Sequence, residues 1–371
     1  MAKKRTKKVG QFQNYVVAAD ASNMGSNAVI RDPSGQIFTV YEPSVRAPIR
    51  DTDRFGLAAA LELKRDWVCW RDHYYVIGDG VLSGFKRSDL EFHQGKERAG
   101  SDFQRFQVAC LMARSGIRSG KIDLVLFAPP GEFQESRSRI RKTFLTDSEE
   151  VIRLKGDDRD RVWEYQSVEV FPEGMAALGC FLFDTNAKLR HPELVAGNVV
   201  VVDIGGRTLN IIQTVDGELV ADNRATMTYP DLGLRNQVLE PVLRWTHDNI
   251  AGSGDVTLFH IDAAFRSSKK ILYHGSLNQP VDLRDVFTEY VARHANAAKA
   301  VIDSDHGGFD FARMVLPIGG GGLAAGKYFR QWYGDKVIDR TGHRWLKDIH
   351  PVEMNAMGGL CFFMGQHYGE Y

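Results

Sequence analysis

The sequence predicts an α/β protein assembled from two related halves, and three observations carry that expectation. Its 371 residues exceed the ~100–200 typical of one domain and suit two. A strand-turn-strand unit occurs twice: Tyr15–Ala19 runs into Asp20, and 183 residues later Asn198–Val202 runs into Asp203. Apolar strands also pass into small-residue helices, once at Pro172 and once at Gly319 to Gly322.

With 43% apolar and 25% charged residues the composition is that of an ordinary globular protein, which excludes disordered, collagen-like and disulfide-scaffold classes. No apolar run approaches the ~20 residues of a bilayer span and no signal-peptide core is present, so the expectation is a cytoplasmic protein without membrane contact. Forty-seven basic residues balance forty-seven acidic ones, so no direct, sequence-specific nucleic-acid binding is expected of the chain. The one charge asymmetry is Lys3, Lys4, Arg5, Lys7 and Lys8, read as a solvated flexible arm over residues 1–13, or else as an anchor for polyphosphate or a filament neighbour. Cys69, Cys110, Cys180 and Cys361 are scattered without Cys-x-x-Cys or histidine spacing, which predicts reduced thiols rather than a zinc site.

In the first copy, Tyr15–Ala19 reads as a buried strand emptying at Asp20 into the small, polar turn Ser22, Asn23, Met24, Gly25, Ser26 and Asn27. Ala28–Arg31 returns, Asp32-Pro33-Ser34-Gly35 turns again, and Gln36–Tyr41 completes a three-stranded meander. In the second copy Asp203 opens a turn through Gly205, Gly206, Arg207 and Thr208, Leu209–Thr214 returns, and Asp216-Gly217 turns toward Glu218–Val220. The distance from the aspartate to the glycine of the second turn is 15 residues in one copy (20 to 35) and 14 in the other (203 to 217).

The chemistry follows from the two turns. Small residues at a hairpin tip let backbone N–H groups face an anion without Cβ obstruction. Two such tips, one from each half, would clamp a polyphosphate. An aspartate ending each first strand would hold the water shell of Mg²⁺, which prefers a few carboxylates and retained waters. Either aspartate alone reads equally as a turn former bonded to its own backbone; their recurrence in matching contexts favours the functional reading.

Between the copies, Val168–Phe171 reads as a strand ending at Pro172, followed by an apolar helix with Glu173 in its first turn. There Glu173 either complements the helix dipole or orients an attacking water. Met354–Gly365 reads as a second small-residue helix and a second crossing between halves, and Gly319, Gly320, Gly321 and Gly322 as a loop that lets a flat ligand or phosphate reach the backbone before a helix beginning near Leu323. The stretch Gly321–Lys327 fits seven positions of a phosphate-binding P-loop, but Tyr328 stands where the Mg²⁺-binding hydroxyl is required. Asp303, Asp305 and His306 lack the closing glutamate of an EF-hand and read as a polar loop.

These elements in this order resemble the actin-like ATPase family, most closely its ParM-like plasmid-segregation and archaeal branch. The segments that carry the resemblance are Asp20 to Asn27, Asp203 to Asn210, Pro172-Glu173-Gly174, Ile318 to Gly322, and Asn355 to Gly359, with Tyr75–Gly80 and Leu124–Pro130 as further strands. The resemblance implies an actin-like fold of duplicated five-stranded mixed sheets flanked by helices, with a nucleotide cleft between domains: 14–190 plus 357–371 as the first, 191–356 as the second. It implies Asp20 and Asp203 as organisers of Mg²⁺ through water, and Glu173 as the residue that positions the hydrolytic water. The two turns would bind the phosphates of ATP or GTP and the glycine run would line the adenosine site. Ser22 stands where relatives often carry glycine, Asn27 where they carry a basic residue, and Arg207 where they carry a small hydroxyl residue.

The implied function is an ATPase that forms a helical filament with itself and, through a DNA-binding adaptor, segregates or positions plasmid DNA. A small-molecule kinase of the same superfamily, and a nucleotide-binding scaffold without catalysis, are the rival readings. The polar stretch 85–102 and the charged segment 133–160 read as filament contacts or as solvated surface.

Overall fold

The computed structural model describes residues 13–22, 24–49, 66–81, 89–92, 98–220, 225–338, 346 and 349–369. The basic arm, and with it Lys3, Lys4, Arg5, Lys7 and Lys8, lies outside the described residues, as do Asn23 and parts of the 85–102 stretch.

The apolar run Tyr15–Ala19 becomes strand β1 (Tyr15–Ala21), and the meander continues as β2 (Gly25–Arg31) and β3 (Ile37–Pro43). After β4 (Ala47–Pro48), β5 (Trp67–Trp70) and β6 (His73–Val76) come helix α1 (Asp102–Arg114), β7 (Ser119–Ala128), α2 (Phe133–Leu145), β8 (Glu149–Leu154) and β9 (Arg161–Pro172). They form a nine-stranded sheet in the order β3-β2-β1-β7-β9-β8-β5-β6-β4. β1, β7 and β9 are mutually parallel and their outer neighbours antiparallel, so the sheet is mixed. The strand expected over Tyr75–Gly80 stops at Val76, because Gly78 takes a left-handed φ of 67° and the chain turns into a 3-10 segment. The charged segment 133–160 is α2 and β8, with Ile140 and Phe144 buried beneath the sheet.

The second sheet repeats the first four positions of that order. β10 (Asn198–Ile204) and β11 (Leu209–Val215) form the hairpin, β16 (Met314–Ile318) lies parallel to β10 as β7 lies to β1, and β12 (Glu218–Leu219) and β13 (Thr226–Tyr229) pair with β11. The expected five-stranded sheet is thus this one, with β12 and β13 sharing the position of β3, and the first is the four-position motif lengthened by β9, β8, β5, β6 and β4. Helices α3 (Gly179–Leu182), α4 (Glu240–Asn249), α5 (Leu258–Arg266), α6 (Arg284–His306), α7 (Gly319–Tyr333) and α8 (Met354–Tyr368) complete the described helices, and β14 (Ile271–Leu272) pairs with β15 (Val281–Asp282). Asp303, Asp305 and His306 form the last turn of α6 rather than a polar loop.

Both central hairpin strands are apolar on both faces because both faces are covered. Val17 and Ala19 pack toward α1 and α2, and Val16 and Ala18 toward α8. Val200 and Val202 pack toward α6 and α7, and Val199 and Val201 toward α3. The segment 175–182 therefore lies between the sheets: Ala176 belongs to the core of one, Ala177 and Leu178 to the core of the other. α8 crosses it so closely that a Cβ on Gly179 would strike the Gly358 carbonyl and one on Gly358 the Ala176 carbonyl. The small residues expected to permit a close crossing do so at these two positions. Among the described residues no helix is long and apolar enough to cross a membrane.

Candidate functional site

Asp20 and Asp203 are the last but one residues of the first strands of the two hairpins, each seven residues before an asparagine that faces it across its ladder: Asp20 pairs with Asn27, Asp203 with Asn210. The two hairpin tips border one cavity of about 1110 Å³, together with Glu173, Gly319 and Gly320.

The first tip is shorter than the sequence suggests, since Asp20, Ala21 and Gly25 to Asn27 all belong to the ladder. The Ser22 hydroxyl donates to Gly25 O at 2.5 Å, and Ser44 Oγ in turn donates to Ser22 O at 2.5 Å. Ser22, Met24, Gly25 and Asn27 line the cavity. Ser26 does not: it is 1% exposed and its hydroxyl pairs with Ser44 at 2.9 Å, because strand alternation turns it inward. Met24 is buried against the opposite tip, its Cγ 2.9 Å from where a Cβ on Gly206 would sit.

The second tip is fixed from behind. The carbonyls of Gly205, Gly206 and Arg207 accept the amides of Leu234, Arg235 and Gly233 at 2.7–3.0 Å. In a planar trans peptide the C=O and the following N–H point oppositely, so the amides of Gly206, Arg207 and Thr208 are turned away from that support. Gly205, Gly206, Arg207 and Thr208 all line the cavity. Three successive amides of this kind make an anion site; the Gly205 amide closes the hairpin onto Thr208 O at 3.0 Å.

Glu173 is not in a helix. Its amide extends the β7–β9 ladder to Ala128 O at 2.8 Å, Gly174 turns the chain with φ 77°, and a 3-10 turn starts at Met175. Pro172 and Gly174 end strand and corner before any helical hydrogen bond can form, so the dipole account of Glu173 falls. The glycine run is corrected too: α7 begins at Gly319, so the four glycines are its first turn and not a loop ahead of Leu323. Gly319 lets the backbone pass Asp203, whose Oδ1 would lie 2.9 Å from a Cβ there, and with Gly320 it faces the cavity. Gly321 and Gly322 are buried against Ile204 and Pro317, where close packing and not a ligand requires them.

The three acidic side chains form one electrostatic unit. Desolvation, Glu173 and Asp20 push the Asp203 carboxyl up to about 7, and desolvation and Glu173 push Asp20 up to about 6. Asn355 Nδ2 donates to Asp203 Oδ2 at 3.1 Å and opposes the rise, while its Oδ1 accepts the Gly174 amide at 2.9 Å. Arg98 Nη2 donates to Glu173 Oε1 at 2.7 Å. Carboxylates that repel one another in a desolvated cavity are a donor set suited to a hard divalent cation. Among the described residues no three His, Cys, Asp or Glu side chains group closely enough to ligate a metal directly.

No protein-family model and no curated protein matches the sequence. Solved structures match it over almost its whole length. The archaeal actin homolog Ta0583 superposes with a TM-score of 0.69 at 16% identity, covering 93% of this chain and 98% of that one. The fold is actin-like. A ParM of a 15-stranded filament from Clostridium botulinum gives 0.65 at 14% identity (95% and 99% covered), and a Bacillus thuringiensis ParM with AMPPNP gives 0.62 at 15% (94% and 98%). The archaeal homolog has also been solved in complex with ADP.

In this actin-like chain the cavity also contains residues to which the sequence motifs assign no role, Asn355 among them although it opens a segment that carries the resemblance. Asn355 and Arg98 adjoin the carboxylates; an asparagine opening an otherwise small and apolar helix was the one available signal for Asn355. Away from the carboxylates, α5, α6 and α7 contribute the apolar Phe265, Phe287, Val291 and Leu323 beside Arg266, Thr288 and Lys327. These come from amphipathic helices with no fixed motif, and only the fold brings them together.

Proposed function

We propose that this chain is a nucleotide-dependent, filament-forming actin-like protein that binds and hydrolyses ATP, or GTP, in the cavity between its hairpins. The observation that carries the reading is the meeting of Asp20 and Asp203, from two strands, with Glu173, from the corner after a third, between two acid-tipped hairpins that border one cavity. The ADP complex of the archaeal homolog and the AMPPNP and filament structures of ParM proteins support it. In this reading the first half comprises residues 14–190 with 357–371 and the second 191–356.

The amides of Gly206, Arg207 and Thr208 bind phosphate oxygens. Asp20 and Asp203 hold the water shell of Mg²⁺, which when bound neutralises phosphate charge. Asn355 keeps the Asp203 carboxylate in place, and Glu173 orients a water toward the terminal phosphate. The apolar space beside α6 and α7 receives the base. Head-to-tail contacts that do not close into a ring then build a filament, and movement of DNA through a separate DNA-binding adaptor is the use we assign it.

Light scattering and negative-stain images with and without Mg-ATP or Mg-GTP, alongside phosphate release, test this. Nucleotide-dependent filaments are expected, with Glu173→Ala still binding nucleotide but releasing phosphate about 100-fold more slowly or worse. Persistent monomers at high protein concentration, or normal turnover in the variant, would count against it.

A further inference from the structure

We propose that Arg98 is the residue by which this cavity distinguishes a nucleoside triphosphate from a diphosphate, bridging Glu173 to the terminal phosphate. The inference rests on the nucleotide reading above. Its ground is the charge arrangement at the carboxylate end of the cavity. Three acidic side chains already repel one another there, and a terminal phosphate brings further negative charge to the same place. Arg98 lines that end, its side chain only 9% exposed, and its charge acts on both Asp20 and Asp203.

The bond to Glu173 engages Nη2. A guanidinium offers five donors in a planar fork, so one edge can hold a carboxylate while another meets a phosphate. A lysine, with one point of charge, bridges less well.

The backbone beside Arg98 is anchored. Ala99 O accepts Arg139 Nε, Gly100 O accepts the Thr143 hydroxyl at 2.6 Å, and the Gly100 amide donates to Gln104 Oε1 at 2.7 Å. Gly100 sits at φ 77° hard against α2, where a Cβ would come within 2.9 Å of the Arg139 backbone. Arg98 therefore projects from a fixed point, and its reach is set before any ligand arrives.

The test compares affinities for AMPPNP and ADP, each with Mg²⁺, by competition against a fluorescent nucleotide. The unaltered chain, Arg98→Gln, Arg98→Lys and the double variant Arg98→Gln/Glu173→Gln are measured side by side. Arg98→Gln is expected to weaken AMPPNP by about tenfold or more and ADP by less than about twofold. Arg98→Lys should recover part of the loss, and the double variant, which also removes the carboxylate that Arg98 pairs, should keep it. Equal weakening of both nucleotides, no weakening of either, or recovery of AMPPNP affinity in the double variant would overturn the inference while leaving the nucleotide reading intact. An unaltered chain that binds neither nucleotide would overturn both.

Discussion

The Asp203 carboxyl is buried beside Asn355 and Gly319, and desolvation with two acidic neighbours raises its pKa from 3.8 to about 7. The folded chain thus holds a proton that the unfolded chain has released at any pH between those values. Stability from this group is fully present below about 4 and is lost as pH rises toward 7. Each pKa unit is worth about 1.4 kcal/mol, so the loss amounts to a few kcal/mol. Asp203→Asn keeps an acceptor for Asn355 but has no charge to bury. In denaturant titrations without divalent cations it should be more stable than the unaltered chain at pH 8 by roughly 2–4 kcal/mol, with the difference shrinking toward pH 4. A difference independent of pH would mean that Asp203 is not held protonated by its surroundings. On the proposed function the same residue is expected to make binding of Mg-nucleotide depend on its ionised form, which the fold holds at a cost.

At the scale of elements, the crossing of α8 over the segment 175–182 is held by backbone contact at Gly179 and Gly358. Gly358→Ala would normally favour a helix interior, by about 1 kcal/mol. Here the added methyl meets the Ala176 carbonyl, which the packing of Ala176 and Ala177 into two different cores prevents from moving. We expect the substitution to destabilise the chain by about 2–4 kcal/mol in thermal or denaturant unfolding; a neutral or stabilising result would show that the helices separate easily. This crossing was legible in the sequence, because small residues in two apolar helical stretches have few other uses. The hairpins were legible too, since an apolar run ended by Asp and a small-residue turn is a local signal. The lengths of the first tip and of the glycine run were not. Ser26 and Asn27 are as polar as a loop, yet pairing with Ala21 and Asp20 draws them into the ladder; four glycines promise a loop, yet Ile204 and Pro317 need their missing side chains. Arg98 and the α5–α6 wall left no local trace, since their roles depend on contacts between distant segments.

For the whole molecule, the crossing helices join the two sheets, and a second set of contacts joins the first sheet's side of the molecule to the second tip and to α5. Met24 lies on Gly206, Phe92 meets Phe259 edge-on with centroids 5.6 Å apart, and the Arg266 guanidinium sits 4.5 Å from the Tyr41 ring centroid. Tyr41 also covers Gly25 on the first tip, and Arg266 is held by Asp262 through a 2.8 Å bond. The Tyr41–Arg266 stack therefore links β3 of the first meander to α5 beside the cavity that both residues line. On the proposed function, release of a nucleotide from this cavity is expected to require the stack to part. Tyr41→Leu keeps apolar cover over Gly25 and leaves the Arg266–Asp262 pair intact, while removing a cation–π contact worth about 0.5–1 kcal/mol. That energy corresponds to a roughly two- to fivefold faster release of a fluorescent nucleotide in stopped-flow chase experiments, with association and overall stability nearly unchanged. Release at the unaltered rate would show that this stack does not limit escape, with Met24 and Gly206 as the remaining contact to test. Faster release with equally slowed association would instead place the effect on binding-site assembly rather than on closure.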